Sequence, residues 1–199
     1  MKLISDRIIN ALSLASHLHR NHTRHDNDET PYISHLASVA MYLQCVTDDE
    51  DIVIAGIMHD SVEDVPDYTY DDLVIDCGVR VADIVLSVTE NKSLPYKEMK
   101  LDYINKVKSH GIETLLISLA DKLHNAKSLK TMPPDKIHKG HLWLYEEILV
   151  VAKEKMQDIE SINTVKVTSD MKSHHVGLLL LINELEHVIK DLKSFKLLQ

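Results

Sequence analysis

The chain has 199 residues, enough to bury about 70% of its unfolded surface in one domain, with or without a tail. Hydrophobic residues at 44% and charged residues at 27% exclude wholesale disorder, and five Gly with five Pro disfavour a turn-rich all-β fold. Lys and Arg number 22 against 31 Asp and Glu, and the formal charge of −9 excludes the basic field that a nucleic-acid binder needs.

Leu3, Ile4, Ile8, Leu12 and Ala15 recur at three- and four-residue steps and predict a first helix. Lys2, Asp6 and Arg7 bring charge too early for a secretory signal. Thr30-Pro31 reads as the N-cap and first turn of a second helix, with Ile33, Leu36, Ala37, Ala40, Met41 and Leu43 as its apolar positions. Thr47 to Asp51 is an acidic helix start, suited to the positive end of a helix dipole. It leads into the apolar run Ile52 to Met58, and Pro66 stops that helix. Tyr70-Asp71-Asp72-Leu73 opens a short helix closed by Cys77-Gly78. Val81 to Val88 reads as the next helix, with strand as the alternative because of its β-branched content.

Asn91 to Pro95 is a loop, and Tyr96 to His110 a helix with Gly111 as its C-cap. Ile112 to Leu129 follows, ending before Pro133-Pro134, and His141 to Glu160 is a further helix. Ser161 to Lys172 loses the pattern and reads as a linker. From His174 to Leu198, Leu178, Leu181, Leu185, Val188, Leu192 and Phe195 form a heptad-like seam, expected to dock on the same chain, with a homodimer contact as the alternative. The expectation is an all-α bundle over residues 1–160, followed by a linker and an amphipathic helix over 161–199. The longest apolar run, Val176 to Ile182, is too short to span a bilayer. Cys45 and Cys77 form neither a disulfide framework nor a thiolate zinc site, which places the chain in a reducing compartment, the cytoplasm.

Three segments carry chemistry. His59-Asp60-Ser61-Val62-Glu63-Asp64 ends an apolar helix in a burst of polar groups. If the helix continues, His59 and Glu63 are four apart, as are Asp60 and Asp64, and all share one broad face. Clustered carboxylates repel and call for a cation. Asp121 ends a second apolar run, Leu115 to Ala120, with Asn125 one turn on and His124 beside it. His35 sits among Ile33, Leu36 and Val39. Each of these alone reads as an ordinary helix-end or core group. Together His35, His59, Asp60 and Asp121 make a two-His, two-carboxylate set that suits zinc, manganese or iron. Glu63 and Asp64, not needed as ligands, are left for proton transfer.

The ordered set His…His-Asp…Asp resembles the signature of the HD metal-dependent phosphohydrolase superfamily. Thr30-Pro31-Tyr32-Ile33-Ser34-His35 with Val39-Ala40, His59-Asp60 with Val62-Glu63-Asp64, and Ala120-Asp121-Lys122-Leu123-His124-Asn125 are similar to motifs of the alarmone hydrolases. That family comprises the hydrolase domain of Rel/Spo proteins and its stand-alone relatives. The similarity runs from about Leu3 to Val150. It implies an all-helical, manganese-dependent enzyme that removes pyrophosphate from the ribose 3′ position of ppGpp and pppGpp, giving GDP or GTP. It implies His35, His59, Asp60 and Asp121 as metal ligands and Glu63 and Asp64 as the acidic pair that handles the attacking water. Arg24 and Asn125 fall at nucleotide-contacting positions and Tyr145 near one, His25 stands where a second basic residue is usual, and Lys122 is a candidate phosphate contact.

Three positions depart from the family pattern. His25 replaces a second basic residue, Glu29 a Gly, and Leu36 a Pro. With the acidic stretch Asp26 to Glu29, these bear on substrate identity more than on metal binding. The alternatives are another nucleotide substrate (a dNTP, a nucleoside monophosphate or a nicotinamide dinucleotide phosphate) and a binding-only regulatory module. His17, His19, His22 and His25, and His174-His175, read as solvated histidines, and Lys92 as a weak phosphate-contact candidate.

Overall fold

The structure, a computed structural model, describes residues 4–24, 29–130, 132, 139–162 and 169–197. The described residues form ten α-helices: α1 Asp6–Leu18, α2 Ile33–Val46, α3 Glu50–Met58, α4 Ser61–Asp64, α5 Tyr70–Cys77, α6 Val79–Val88, α7 Tyr96–Ser109, α8 Ile112–Ser128, α9 Lys139–Ile162 and α10 Ser169–Leu197. An antiparallel bridge between Thr23 and Pro31 pinches the segment joining α1 to α2. Among the described residues no helix is long and apolar enough to cross a membrane.

The two helices that carry the chemical motifs are the most deeply enclosed. Every residue from Ile52 to Met58 is buried, as is every residue from Thr114 to Leu123. A helix that is apolar all round has to be surrounded. Accordingly α3 packs on α1, α2, α6 and α8, while α8 packs also on α2, α7, α9 and α10. Gly56 lets α3 approach α2 closely: a Cβ there would stand 2.2 Å from Leu43 Cδ1. Leu178, Leu181, Leu185, Val188 and Leu192 are buried where α10 lies on α8, α9 and α2. The Phe195 side chain lies outside the described residues, as do Pro133 and Pro134.

Several local details differ from expectation. α1 buries Ala11 and Ala15, while Ile4 and Leu12 are exposed; small side chains let it lie close on α3. Ser5 caps it, accepting from the Ile8 N–H. α2 starts at Ile33, so its N-cap position falls on Tyr32 and not on Thr30, and no side chain caps it. Met41, expected inside, is exposed. The helix before the acidic motif does not run on. It breaks at His59-Asp60 and restarts as α4. Gly111 does not cap α7: His110, in extended backbone, ends that helix and Gly111 precedes α8. The Val81 to Val88 stretch is helical, and Gly78 (φ +94°) turns the chain between α5 and α6, a left-handed conformation that suits a residue without Cβ.

Candidate functional site

Four donor groups from three places in the fold converge. α2 brings His35, the α3–α4 break brings His59 and Asp60, and α8 brings Asp121. His35 Nε2 lies 3.3 Å from Asp121 Oδ1 and 3.7 Å from Asp60 Oδ2. His59 Nε2 lies 3.1 Å from Asp60 Oδ2 and 3.8 Å from Asp121 Oδ1. The break between α3 and α4 is what allows the neighbours His59 and Asp60 to point at one spot. A hydrogen bond of 2.8 Å joins His59 Nδ1 to the Gly56 carbonyl, so Nε2 is the atom presented to the cluster. That Nε2 is buried and has no hydrogen-bond partner among the described residues. An orphaned imidazole nitrogen facing two carboxylates, with His35, His59 and Asp121 able to offer three mutually close ligand atoms, fits a divalent cation.

The charges are mutually adjusted. Burial opposes protonation of His59, but Asp60 and Asp121 outweigh it and lift its pKa to about 9. Burial likewise pushes Asp60 and Asp121 up, yet His59 and His35 hold the first well below the carboxylate range, and Lys122 with His35 the second. His35 stays low because it is buried. His35 Nδ1 is 2.8 Å from His124 Nδ1, and burial, His35 and Arg24 depress His124 to about 4. Tyr32 donates to Asp60 Oδ2 at 2.7 Å.

A cleft of about 160 Å³ opens beside the cluster, and Glu63 and Asp64 line it with Lys100 and Lys122. Burial first, then the charges of Asp60 and Glu90, raise Glu63 to about 7 despite a hydrogen bond from the Glu90 N–H. Lys122 is buried, donates to Asp121 Oδ2 at 2.5 Å and lies 4.7 Å from the Tyr103 ring centroid. A larger cavity of about 420 Å³ lies among α7, α8, α9 and α10, lined by none of these residues.

The other expected contact residues fall at several distances from this cleft. Asn125 lines it and donates to Asp121 Oδ1 at 2.5 Å, while its Oδ1 accepts from Arg24 at 2.6 Å. The Arg24 guanidinium sits 5.5 Å from the Tyr32 ring centroid. Tyr145 is buried on α9, where burial raises its phenol and Lys122, Asp121 and Arg24 act on it. His25 lies outside the described residues, as do Asp26, Asn27 and Asp28. Tyr32, His124 and the Lys100–Glu90 pair were not expected at the site. Their signals were weak: His124 is three residues after Asp121, and Lys100 is one of many helix lysines. His19, expected in solvent, is 1% exposed and stacks on Tyr32 at 5.3 Å between centroids, because the bridged segment folds back over α1.

Residues 11–144 match the family model described as HD domain. The chain belongs to the HD-domain family. Members of that family depend on a divalent metal, and the buried His35, His59 and Asp121 of this HD domain are placed to hold one. Among its relatives is the guanosine-3′,5′-bis(diphosphate) 3′-pyrophosphohydrolase MESH1 of Mus musculus, 35% identical over 130 residues, 64% of this chain and 72% of that protein. The MESH1 of Homo sapiens is 34% identical over 131 residues, 65% and 73% of the two chains. The bifunctional (p)ppGpp synthase/hydrolase SpoT of Escherichia coli is 31% identical over 136 residues, 65% of this chain and 19% of that one. A solved structure of a metazoan SpoT orthologue that hydrolyses ppGpp superposes with a TM-score of 0.73 at 26% identity, over 96% of this chain and 98% of that one.

Proposed function

We propose that this HD domain hydrolyses guanosine 3′-diphosphate alarmones, ppGpp and pppGpp, to GDP or GTP and pyrophosphate, with manganese as its ion, in the cytoplasm. The observation that carries the proposal is the convergence of His35, His59, Asp60 and Asp121 beside the Glu63–Asp64 pair, in a chain whose relatives bear the name 3′-pyrophosphohydrolase. Residues 1–160 would carry catalysis, with α10 as support.

His35, His59, Asp60 and Asp121 would hold the ion, two neutral imidazoles and two carboxylates balancing a dication. Bound there, it supplies Lewis acidity, which acidifies water and offsets phosphate charge. Glu63, with a pKa near neutrality, takes a proton from the attacking water and passes it on. Asp64, next to it, orients that water. Lys100 and Lys122 put positive charge on the cleft wall where a diphosphate would lie. Arg24, already paired with Asn125, offers a planar guanidinium to the nucleotide. Tyr32 and His124 keep Asp60 and His35 turned toward the centre.

The test is phosphorus NMR of the purified protein with ppGpp, first with manganese and then with EDTA. Manganese-dependent appearance of GDP and pyrophosphate is expected. Absence of turnover with metal bound rejects the alarmone substrate, and a panel of other nucleotides then separates a different phosphohydrolase from a binding-only module.

A further inference from the structure

The acidic pair on α4 is gripped from outside its own helix. The segment between α6 and α7, residues 89–95, reaches across to it. The Glu90 N–H donates to Glu63 Oε2 at 2.8 Å. Lys92 Nζ donates to Asp64 Oδ1 and, at 3.2 Å, to the Glu63 carbonyl oxygen, and it stands 3.5 Å from Glu63 Oε1. One ammonium therefore sits between two neighbouring carboxylates. The segment that carries it is itself tied down. Lys106 Nζ donates to the Thr89 carbonyl at 2.9 Å, and Lys100 Nζ donates to both Glu90 oxygens at 2.6 Å. Asn91 Oδ1 accepts from the Ser93 N–H at 3.2 Å, closing a turn around Lys92. A lysine side chain that is 53% exposed thus springs from a fixed backbone.

We propose that Lys92 is a positioning residue, which sets the carboxylate rotamers of Glu63 and Asp64 and is not a ligand of the substrate's phosphates. This rests on the role given above to Glu63 and Asp64. Two adjacent carboxylates repel, and without a cation between them they turn apart. Glu63 has a second anchor in the Glu90 N–H. Among the described residues, Asp64 has Lys92 as its side-chain partner in the ion pairs and hydrogen bonds. Asp64 is therefore the group that Lys92 controls. To bind a diphosphate, Lys92 would have to abandon three oxygen contacts, all of them on Glu63 and Asp64.

The experiment compares Lys92→Met and Lys92→Arg with the wild-type chain, metal-loaded, using ppGpp. For Lys92→Met, kcat is expected to fall by about 10- to 100-fold with KM within about twofold of wild type. Lys92→Arg keeps a cation and should regain part of the loss. Metal content should be the same in all three. A raised KM with unchanged kcat would make Lys92 a phosphate contact and overturn the proposal, and so would unchanged kinetics. Wild-type protein that fails to turn over ppGpp would sink the proposed function instead. Lys92 is then judged by a crystal structure of Lys92→Met, in which the Asp64 carboxylate must leave its wild-type rotamer; an unmoved Asp64 rejects the inference.

Discussion

Lys122 Nζ lies 2.5 Å from Asp121 Oδ2, and both side chains are only 10% exposed. One oxygen of the candidate ligand is thus neutralised from the protein side, and the other, Oδ1, turns to His35. Burial opposes charge on Lys122, but Asp121 and Glu90 hold its pKa well above the ordinary value. Lys122→Met would leave the Asp121 carboxylate without this partner. Removing one member of a buried pair costs about 3–5 kcal/mol. Thermal melting in EDTA should register that loss, and an unchanged midpoint would refute the pairing.

His59→Ala removes the one imidazole nitrogen left orphaned among the described residues of the cluster. Metal retained after dialysis, measured by inductively coupled plasma mass spectrometry, should drop to background. The rise in melting temperature that a ligand binding only the folded state gives should vanish as well. Wild-type metal content in this variant would remove His59 from the ligand set.

Asp64→Asn keeps the size and shape of the side chain but not its charge. It should retain fold and metal while turnover falls by about 10²-fold or more. Full activity would reassign the acidic pair.

Glu63 couples activity to pH and stability. Its folded pKa, about 7, exceeds the ordinary 4.5, chiefly through burial. The favourable contribution is therefore complete below about 4.5 and is lost as pH rises through 7. Glu63→Gln should stabilise the ion-free protein by about 2 kcal/mol at pH 8 and by nothing near pH 4. Urea denaturation at the two pH values checks this. The same residue predicts an acid limb in kcat/KM of the wild type, rising with pH as the carboxylate forms, with its midpoint below that of the ion-free protein because a bound dication offsets the Asp60 charge that raises Glu63.

Gly177 and Gly56 make a controlled comparison of helix contacts. A Cβ on Gly177 would stand 2.3 Å from the Val46 carbonyl oxygen, which is backbone and cannot yield. On Gly56 it would meet Leu43 Cδ1, the end of a side chain that can rotate. Gly177→Ala should cost about 1–3 kcal/mol by overpacking. In Gly56→Ala the gain in helix propensity, about 1 kcal/mol, offsets much of the clash. Equal denaturation midpoints for the two variants would contradict the close approach of α10 to α2.

The helical plan was legible because most segments bury a stripe or a whole helix, and periodicity reads both. His35, His59, Asp60 and Asp121 could be singled out because each interrupts an apolar run. The start of the helix at Ile33 differs from the Thr30-Pro31 signal because the chain through Pro31 pairs with Thr23, a tertiary contact that local residue types do not reveal. Continuity through His59 was expected from pattern alone, which cannot register a break between two residues of ordinary helical propensity. The supporting groups were invisible for a different reason. Tyr32 to Asp60, His124 to His35 and Glu90 to Glu63 are pairings 27 to 89 residues apart, set by tertiary packing. His19 illustrates the same limit, since nothing local distinguishes it from His17 on the same helix turn.

His174 Nε2 meets Thr47 Oγ1 at 2.9 Å across 127 residues of chain. Closing so long a ring costs only a few kcal/mol more than closing a short one, because the entropy grows with the logarithm of length. In the folded chain α10 settles on α8, α9 and α2 together. An opening that lifts α10 would uncover the surfaces of α2 and α8 on which it packs. Those two helices carry His35 and Asp121. Hydrogen exchange would register that opening as faster labelling along the outer faces of α2 and α8 than in α3. Slow loss of activity on storage would then begin at the helices that hold His35 and Asp121, with α3 still protected.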